Sequence, residues 1–158
     1  MYRPRDTPRD RREREIVDEL RDLVGVSERI AHAFAARHGL HPTDLQALIH
    51  VMRREVAGEP LTAGELAGLL DVTTGAATGV VDRLERHGHL RRDRGDTDRR
   101  KVFLRYGEPG MALAQEFFGP LGRRSGAMME QFDDAELDTV HRFLSAMRHA
   151  FEEHHREL

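Results

Sequence analysis

Apolar positions recur at helical three- and four-residue steps through most of this chain and alternate only once, around residues 90–106. A first helix fits from about Glu13 to Arg37, where Ile16, Leu20, Leu23, Ile30 and Phe34 share a face and Gly39 ends the run. A second fits from Thr43, whose T-x-x-Q spacing to Gln46 suggests a capping box. It carries Leu45, Leu48, Ile49 and Met52 and stops near Ala57-Gly58. The stretch from Leu61 to Arg105 then organises the rest. A short helix opens at Thr62 with Glu65 at the box position and an apolar stripe of Leu66, Leu69 and Leu70. It yields at Asp71-Val72, and Thr73 or Thr74 caps another helix. Ala76, Ala77, Val80, Val81 and Leu84 form the inner side of that helix, and Gly88 supplies its C′ residue. Leu90 on one side, and Val102, Leu104 and Tyr106 on the other, flank a polar loop from Arg91 to Arg100, which reads as a β-hairpin with a charged tip.

Beyond the hairpin a helix is expected from about Glu108 through Met111, Leu113, Ala114, Phe117 and Phe118. Gly119-Pro120 should kink or break it before it resumes to about Gln131. A last helix begins at Asp133, again with a glutamate, Glu136, at the box position. Leu137, Val140, Leu144, Met147 and Phe151 follow at heptad spacing along it. A block of this size cannot cover that seam and the stripe at 16–34 as well, so a second copy of the chain is the simplest partner. Residues 1–12 are rich in Arg, Asp and Pro and read as a disordered arm.

The 158 residues suit one domain with a dimerisation annex. No apolar run approaches the ~20 residues that span a bilayer, and the N-terminal segment lacks the apolar core of a signal peptide. A cytoplasmic protein without membrane contact is the expectation. Cysteine is absent, which excludes a disulfide framework, a thiol sensor and Cys-ligated zinc. No G-x-S-x-G, P-loop or G-x-G-x-x-G before a helix occurs. The pairs Asp133-Asp134 and Glu152-Glu153 are adjacent on helices, so their side chains diverge. An enzyme is not expected, and no cofactor.

Charge sharpens the picture. The chain carries a net −3, yet residues 91–105 hold seven Arg or Lys against three Asp, +4 locally. Helix, short turn, helix and basic hairpin form the winged helix-turn-helix arrangement, in which the second helix of the pair enters the major groove and the wing meets phosphates or the minor groove. The fold expected is mainly α with a small β-wing. A DNA-binding lobe occupies 43–106, and a helical dimerisation region is contributed by 13–37 and 108–158.

The run LTAGELAGLL followed by TTGAATGVVDRLERHGHLRRDRGDTDRRKVFL resembles the MarR family of bacterial transcriptional regulators. The most specific pieces are Asp82-Arg83-Leu84-Glu85-x-x-Gly88 and Asp98-Arg99-Arg100-x-Val102, with His41-Pro42-Thr43-Asp44-Leu45-Gln46 upstream. One departure is visible: Gly107-Glu108-Pro109-Gly110 stands where the family often has Thr-Pro. The resemblance implies a homodimer that interlaces its first and last helices on a pseudo-palindromic operator. It also implies a repressor relieved by a small, often phenolic or aromatic acid. No metal is assigned.

On the recognition helix Thr73, Thr74, Gly75, Thr78, Gly79 and Arg83 should face DNA, with Arg83 as the long donor able to reach a guanine edge or a phosphate. With no Asn or Gln for adenine, shape readout should matter. On the wing, Arg94, Asp98, Arg99, Arg100 and Lys101 are the candidates, with Arg99 or Arg100 as minor-groove probe and Asp98 orienting an arginine. For the effector pocket the sequence offers only generic candidates, Arg29, His32, Phe34, His50 and Met52. Two other readings remain at this point. The ten histidines allow a metal-responsive regulator built on His32, His38 and His41 plus a carboxylate, and the terminal helices allow an interaction module that binds no DNA.

Overall fold

A computed structural model describes residues 7–94 and 101–157. The elements in order are α1 (Pro8–Arg37), α2 (Pro42–Val56), α3 (Ala63–Leu69), α4 (Thr74–Arg86), β1 (Leu90–Arg94), β2 (Val102–Tyr106), α5 (Glu108–Met129) and α6 (Asp134–Arg156). The chain divides into two compact units, one up to Ala114 and one from Gln115 onward.

In the first unit α1 begins earlier than its apolar pattern suggests. Thr7 caps it, its hydroxyl accepting from the Asp10 N–H while the Asp10 carboxylate accepts from the Thr7 N–H, and Pro8 fills the first turn. Residues 8–12, expected in a disordered arm, are therefore helical: local capping supplies what apolar burial does not. Residues 1–6 of that arm lie outside the described residues. The α2 cap also differs from expectation. Thr43 lies inside the helix. His41 caps it, its ring accepting from the Thr43 N–H, because Pro42 takes the first helical position, where no N–H is needed.

The core of this unit is assembled from α2, α3, α4 and the wing. Leu45, Leu48 and Val51 of α2 meet Leu66 of α3, Val81 and Leu84 of α4, and Leu90 and Leu104 of the strands, all nearly or fully buried. Thr62 and Glu65 form the expected reciprocal cap on α3, and Thr73 caps α4. Between them Asp71 takes the left-handed conformation, φ 52°, which makes the turn tight. Gly88 does the same at the other end of α4, with φ 72°. β1 and β2 pair antiparallel, Leu90 opposite Tyr106 and Arg92 opposite Leu104. A third segment joins them where the Leu104 N–H donates to the Leu61 carbonyl at 2.7 Å. Leu104 and Tyr106 point into the core, so one residue of slip would expose both.

After the wing the backbone runs hard against the end of α4. The Gly107 N–H donates to the His89 carbonyl at 3.0 Å. A Cβ on Gly110 would stand 2.1 Å from that same carbonyl oxygen. This close approach gives the Gly107 to Gly110 departure a physical reason.

The second unit holds the later part of α5 and all of α6. Helix α5 passes through Pro120 without a break. Proline removes one backbone hydrogen bond, but the helical runs on both sides and the exposed position of Pro120 let α5 continue. Asp133 and Glu136 cap α6 reciprocally, as its sequence indicates. No α6 residue is buried. Val140, Leu144 and Phe151 stand 45%, 45% and 64% exposed, an apolar seam facing outward from the single chain.

Candidate nucleic-acid interface

Helix α4 sorts its residues by angle. Ala77, Val80, Val81 and Leu84 are buried. On the opposite side Gly75, Gly79, Asp82 and Arg86 point outward at helical spacing, flanked by Thr78 and Arg83. Thr74, Gly75 and Ala76 are exposed, Thr78 and Gly79 half-buried. Ala76, expected inward, is thus on the outside: it lies a full turn from Val80 but on the margin of the buried stripe. A Cβ at Gly75 or Gly79 would meet nothing within 4 Å, so these glycines keep the outer face low and open.

The hydroxyls on this face are partly committed. Thr73 accepts from the Ala76 N–H at 3.3 Å as the helix cap. Thr78 donates to the Thr74 carbonyl at 2.8 Å, which leaves its oxygen able to accept and its methyl able to make apolar contact.

Arg83 is also engaged within the chain, which its sequence position does not suggest. Its Nη2 donates to Asp44 Oδ1 at 2.6 Å and its Nε to Asp44 Oδ2 at 3.2 Å, a bidentate pair with a carboxylate that is almost wholly buried. The guanidinium is held above its usual pKa by that hydrogen bond first. Arg83 therefore ties α4 to the start of α2 through Nε and Nη2, while its side chain stays 43% exposed. The long donor on the outward face is Arg86, which is exposed. The sequence carried the signal for it, since Arg86 follows Asp82 by four residues and Gly79 by seven.

The wing is fastened at both strands. Arg92 of β1 reaches back to α4, its Nη2 donating to Asp82 Oδ1 at 2.6 Å and its Nη1 pairing with Glu85. Tyr106 of β2 donates its hydroxyl to the Leu48 carbonyl and its N–H to Glu55 Oε2 at 3.2 Å. Burial, and then the Glu55 charge, push the Tyr106 phenol far above its ordinary range, so it stays a donor. Arg105 completes the link to α2, with Nη1 3.6 Å from Glu55. Of the expected wing residues, Arg94 and Lys101 are exposed at the strand ends nearest the tip. Asp98, Arg99 and Arg100 lie outside the described residues.

A cavity of about 810 Å³ lies between the α1–α2 turn and the side of α4. His38, His41, the Asp44–Arg83 pair, Gly79 and His87 are among its lining. None of Arg29, His32, Phe34, His50 or Met52, the pocket residues expected from sequence, lines it. Arg29 is exposed, and His32 is turned back to the Glu28 carbonyl at 2.9 Å. Among the described residues no group of three or more His, Asp or Glu could hold a metal ion. His32, His38 and His41 are accordingly not brought together as a ligand set: His38 packs on the Phe34 ring at 4.3 Å and His41 caps α2.

His89, also on the cavity wall, is half-buried. Burial first, then the neighbouring His87, lower its pKa from 6.5, against a smaller opposite pull from Asp44 and the Pro109 backbone. Burial likewise lowers that of His50, with Arg53 adding to the effect. Both groups are less basic folded than unfolded. Below pH 6.5 the unfolded chain therefore binds more protons, and stability falls as pH drops toward the lower folded values. Urea unfolding at about pH 7.5 and about pH 5.5 should show this loss, smaller in His89→Gln than in the unaltered chain. An equal loss in both would remove His89 from the account.

The geometry has counterparts among known proteins. The MarR family model matches residues 46–102, which run from α2 to the start of β2. The chain is 29% identical over 133 residues to the HTH-type transcriptional regulator YcgE of Bacillus subtilis, covering 82% of each. To the HTH-type transcriptional repressor YetL of the same organism it is 30% identical over 107 residues, 68% of this chain and 62% of YetL. Among solved structures, a MarR family protein from Bacillus stearothermophilus superposes with a TM-score of 0.64 at 23% identity, covering 90% of this chain and 97% of the other. Regulators of this family are not enzymes. Among the described residues no helix is long and apolar enough to cross a membrane. The capped helix pair and the wing tied to its second helix give the chain a winged helix-turn-helix fold, and these matches make it similar to the MarR family of DNA-binding transcriptional regulators.

Proposed function

We propose that the chain acts in the cytoplasm as a homodimeric repressor on a pseudo-palindromic operator and that a small molecule relieves it. The observation that carries this reading is the outward face of α4, low at Gly75 and Gly79 and bordered by Thr74 and Thr78, beside a wing whose sequence is +4. A helix with so few long side chains can sit deep in a major groove, where the threonine methyls meet thymine methyls. Two such helices in a dimer would read half-sites about one helical turn apart. The outward apolar faces, Ile16, Leu23 and Ile30 on α1 and Val140, Leu144 and Phe151 on α6, support self-association. The repressor sense rests on the likeness to YetL.

The effector belongs in the cavity beside α4. A ligand wedged between the α1–α2 turn and α4 would strain the Asp44–Arg83 pair and shift the helix that reads DNA. The imidazoles of His38, His41 and His87 suit an acidic, partly apolar molecule.

A salt titration tests the DNA reading. The operator is first recovered by selection from random duplex with the unaltered protein. Arg99→Ala and Arg100→Ala should each weaken binding to operator and random duplex alike and flatten the salt slope by up to about 0.9 for a phosphate contact. Thr78→Ala should instead narrow the gap between the two duplexes. Wing variants with unchanged affinity and slope on random DNA would remove the wing from the interface.

A further inference from the structure

We infer that Arg92 is a positioning residue, which locks the wing to the recognition helix and so determines where the wing falls once α4 is in the groove. The inference rests on the DNA-binding reading above. Arg92 spans two acids on α4, Asp82 at 2.6 Å and Glu85, and its own N–H adds a third bond, to Glu85 Oε1 at 3.3 Å. The residue as a whole is exposed and its side chain 32% so, yet both terminal nitrogens of the guanidinium are held against α4 by these acids. β2 is tied to α2 through Tyr106, Arg105 and Glu55. Each strand of the hairpin is thus anchored to a different helix, and the Arg92 clamp is the polar anchor on the helix that reads DNA.

Asp82 makes the arrangement informative. It lies on the outward side of α4, where a phosphate backbone would pass, and a carboxylate there opposes binding. Its place on a DNA-facing helix is accounted for if it holds Arg92. Glu85 and Asp82 are spaced three apart, on neighbouring turns of one face, which lets one planar fork bridge both.

Two explanations of Arg92 make opposite predictions for the acids. If Asp82 and Glu85 are ordinary surface charges, Asp82→Asn with Glu85→Gln removes repulsion and tightens binding to every duplex. If they anchor the wing through Arg92, the same pair of substitutions weakens operator binding while random-duplex affinity holds or rises. Binding is measured by fluorescence anisotropy on the selected operator and on random duplex, at several salt concentrations. We expect Arg92→Ala to reduce the operator-to-random ratio by about tenfold. The salt slope on random duplex should stay unchanged. Adding Asp82→Asn and Glu85→Gln to Arg92→Ala should lower the ratio little further, because the three residues act as one unit. Arg92→Lys, which keeps the charge but can serve only one acid at a time, should fall between the unaltered chain and Arg92→Ala.

Equal weakening on both duplexes, with the slope on random DNA flattened by about 0.9, would make Arg92 a phosphate contact and overturn the inference. Tighter binding of the Asp82→Asn, Glu85→Gln variant to both duplexes would overturn it as well. Melting temperatures are read alongside. Should Arg92→Ala fail to fold, the acid variant and Arg92→Lys carry the same test. If the unaltered protein binds no DNA, the function reading itself fails. If it binds and only the variants behave otherwise, the positioning role alone is lost.

Discussion

Leu144→Glu combined with Met147→Glu should give a folded monomer. In the single chain Leu144 is 45% exposed, Met147 is half-buried and no residue of α6 is fully buried, so glutamates there can reach water and leave the fold of the monomer intact. In a dimer that uses the Leu137 to Phe151 seam the same carboxylates would be removed from water without partners. An unpaired buried charge costs several kcal/mol. Taking about 3 kcal/mol per copy, and so about 6 kcal/mol per dimer, the dissociation constant should rise about ten-thousandfold. Sedimentation velocity across a concentration series, with circular dichroism to show that helix content persists, is the measurement. A variant that sediments as the unaltered protein does would place self-association on another surface. Loss of the dimer should also cost operator affinity more than random-duplex affinity, since only the operator offers two half-sites.

The other large effect is expected at a glycine far from any obvious function. Gly110→Ala should lower stability by about 3 kcal/mol, the upper end for overpacking a filled core. The added methyl would lie 2.1 Å from the His89 carbonyl oxygen and 2.8 Å from the Tyr106 ring. Neither neighbour can retreat easily. His89 follows the left-handed Gly88 that ends α4, and Tyr106 is held by Leu48 and Glu55. For a chain of this size that loss is roughly a 10 °C fall in melting temperature. Gly122→Ala, where a Cβ meets nothing within 4 Å inside the same helix, is the control. It should raise stability by about 0.5–1 kcal/mol, because alanine favours helix over glycine. Melting curves that coincide for Gly110→Ala and the unaltered chain would mean that the start of α5 can shift away without loss.

Much of this protein is legible in the order of its residues, because the features concerned are local. Caps at Thr62, Thr73 and Asp133 depend on residues within three positions; the spacing indicates Thr62 and Asp133 directly and leaves Thr73 and Thr74 as the choices for α4, of which Thr73 is the cap. The buried stripe of α4 follows from a 3.6-residue period, and the wing from alternation that only one register satisfies. Where local chemistry competes, the outcome was harder to see: Pro42 moved the α2 cap from Thr43 to His41, and the Thr7–Asp10 pair extended α1 through a stretch with little to bury.

Which carboxylates Arg83 and Arg92 meet was decided by tertiary structure. In the sequence Arg83 stands out as the long donor of the recognition helix. Asp44, 39 positions before Arg83, captures it, and the pairing becomes visible only once α2 packs on α4. Asp82 and Glu85 take Arg92, which leaves Arg86 on the outer face. The cavity by α4 likewise exists only because the α1–α2 turn and α4, distant in sequence, come together in space. Helix period and capping are written in short windows of residues, whereas an arginine's partner is chosen by which carboxylate the packed core brings within 3 Å or so.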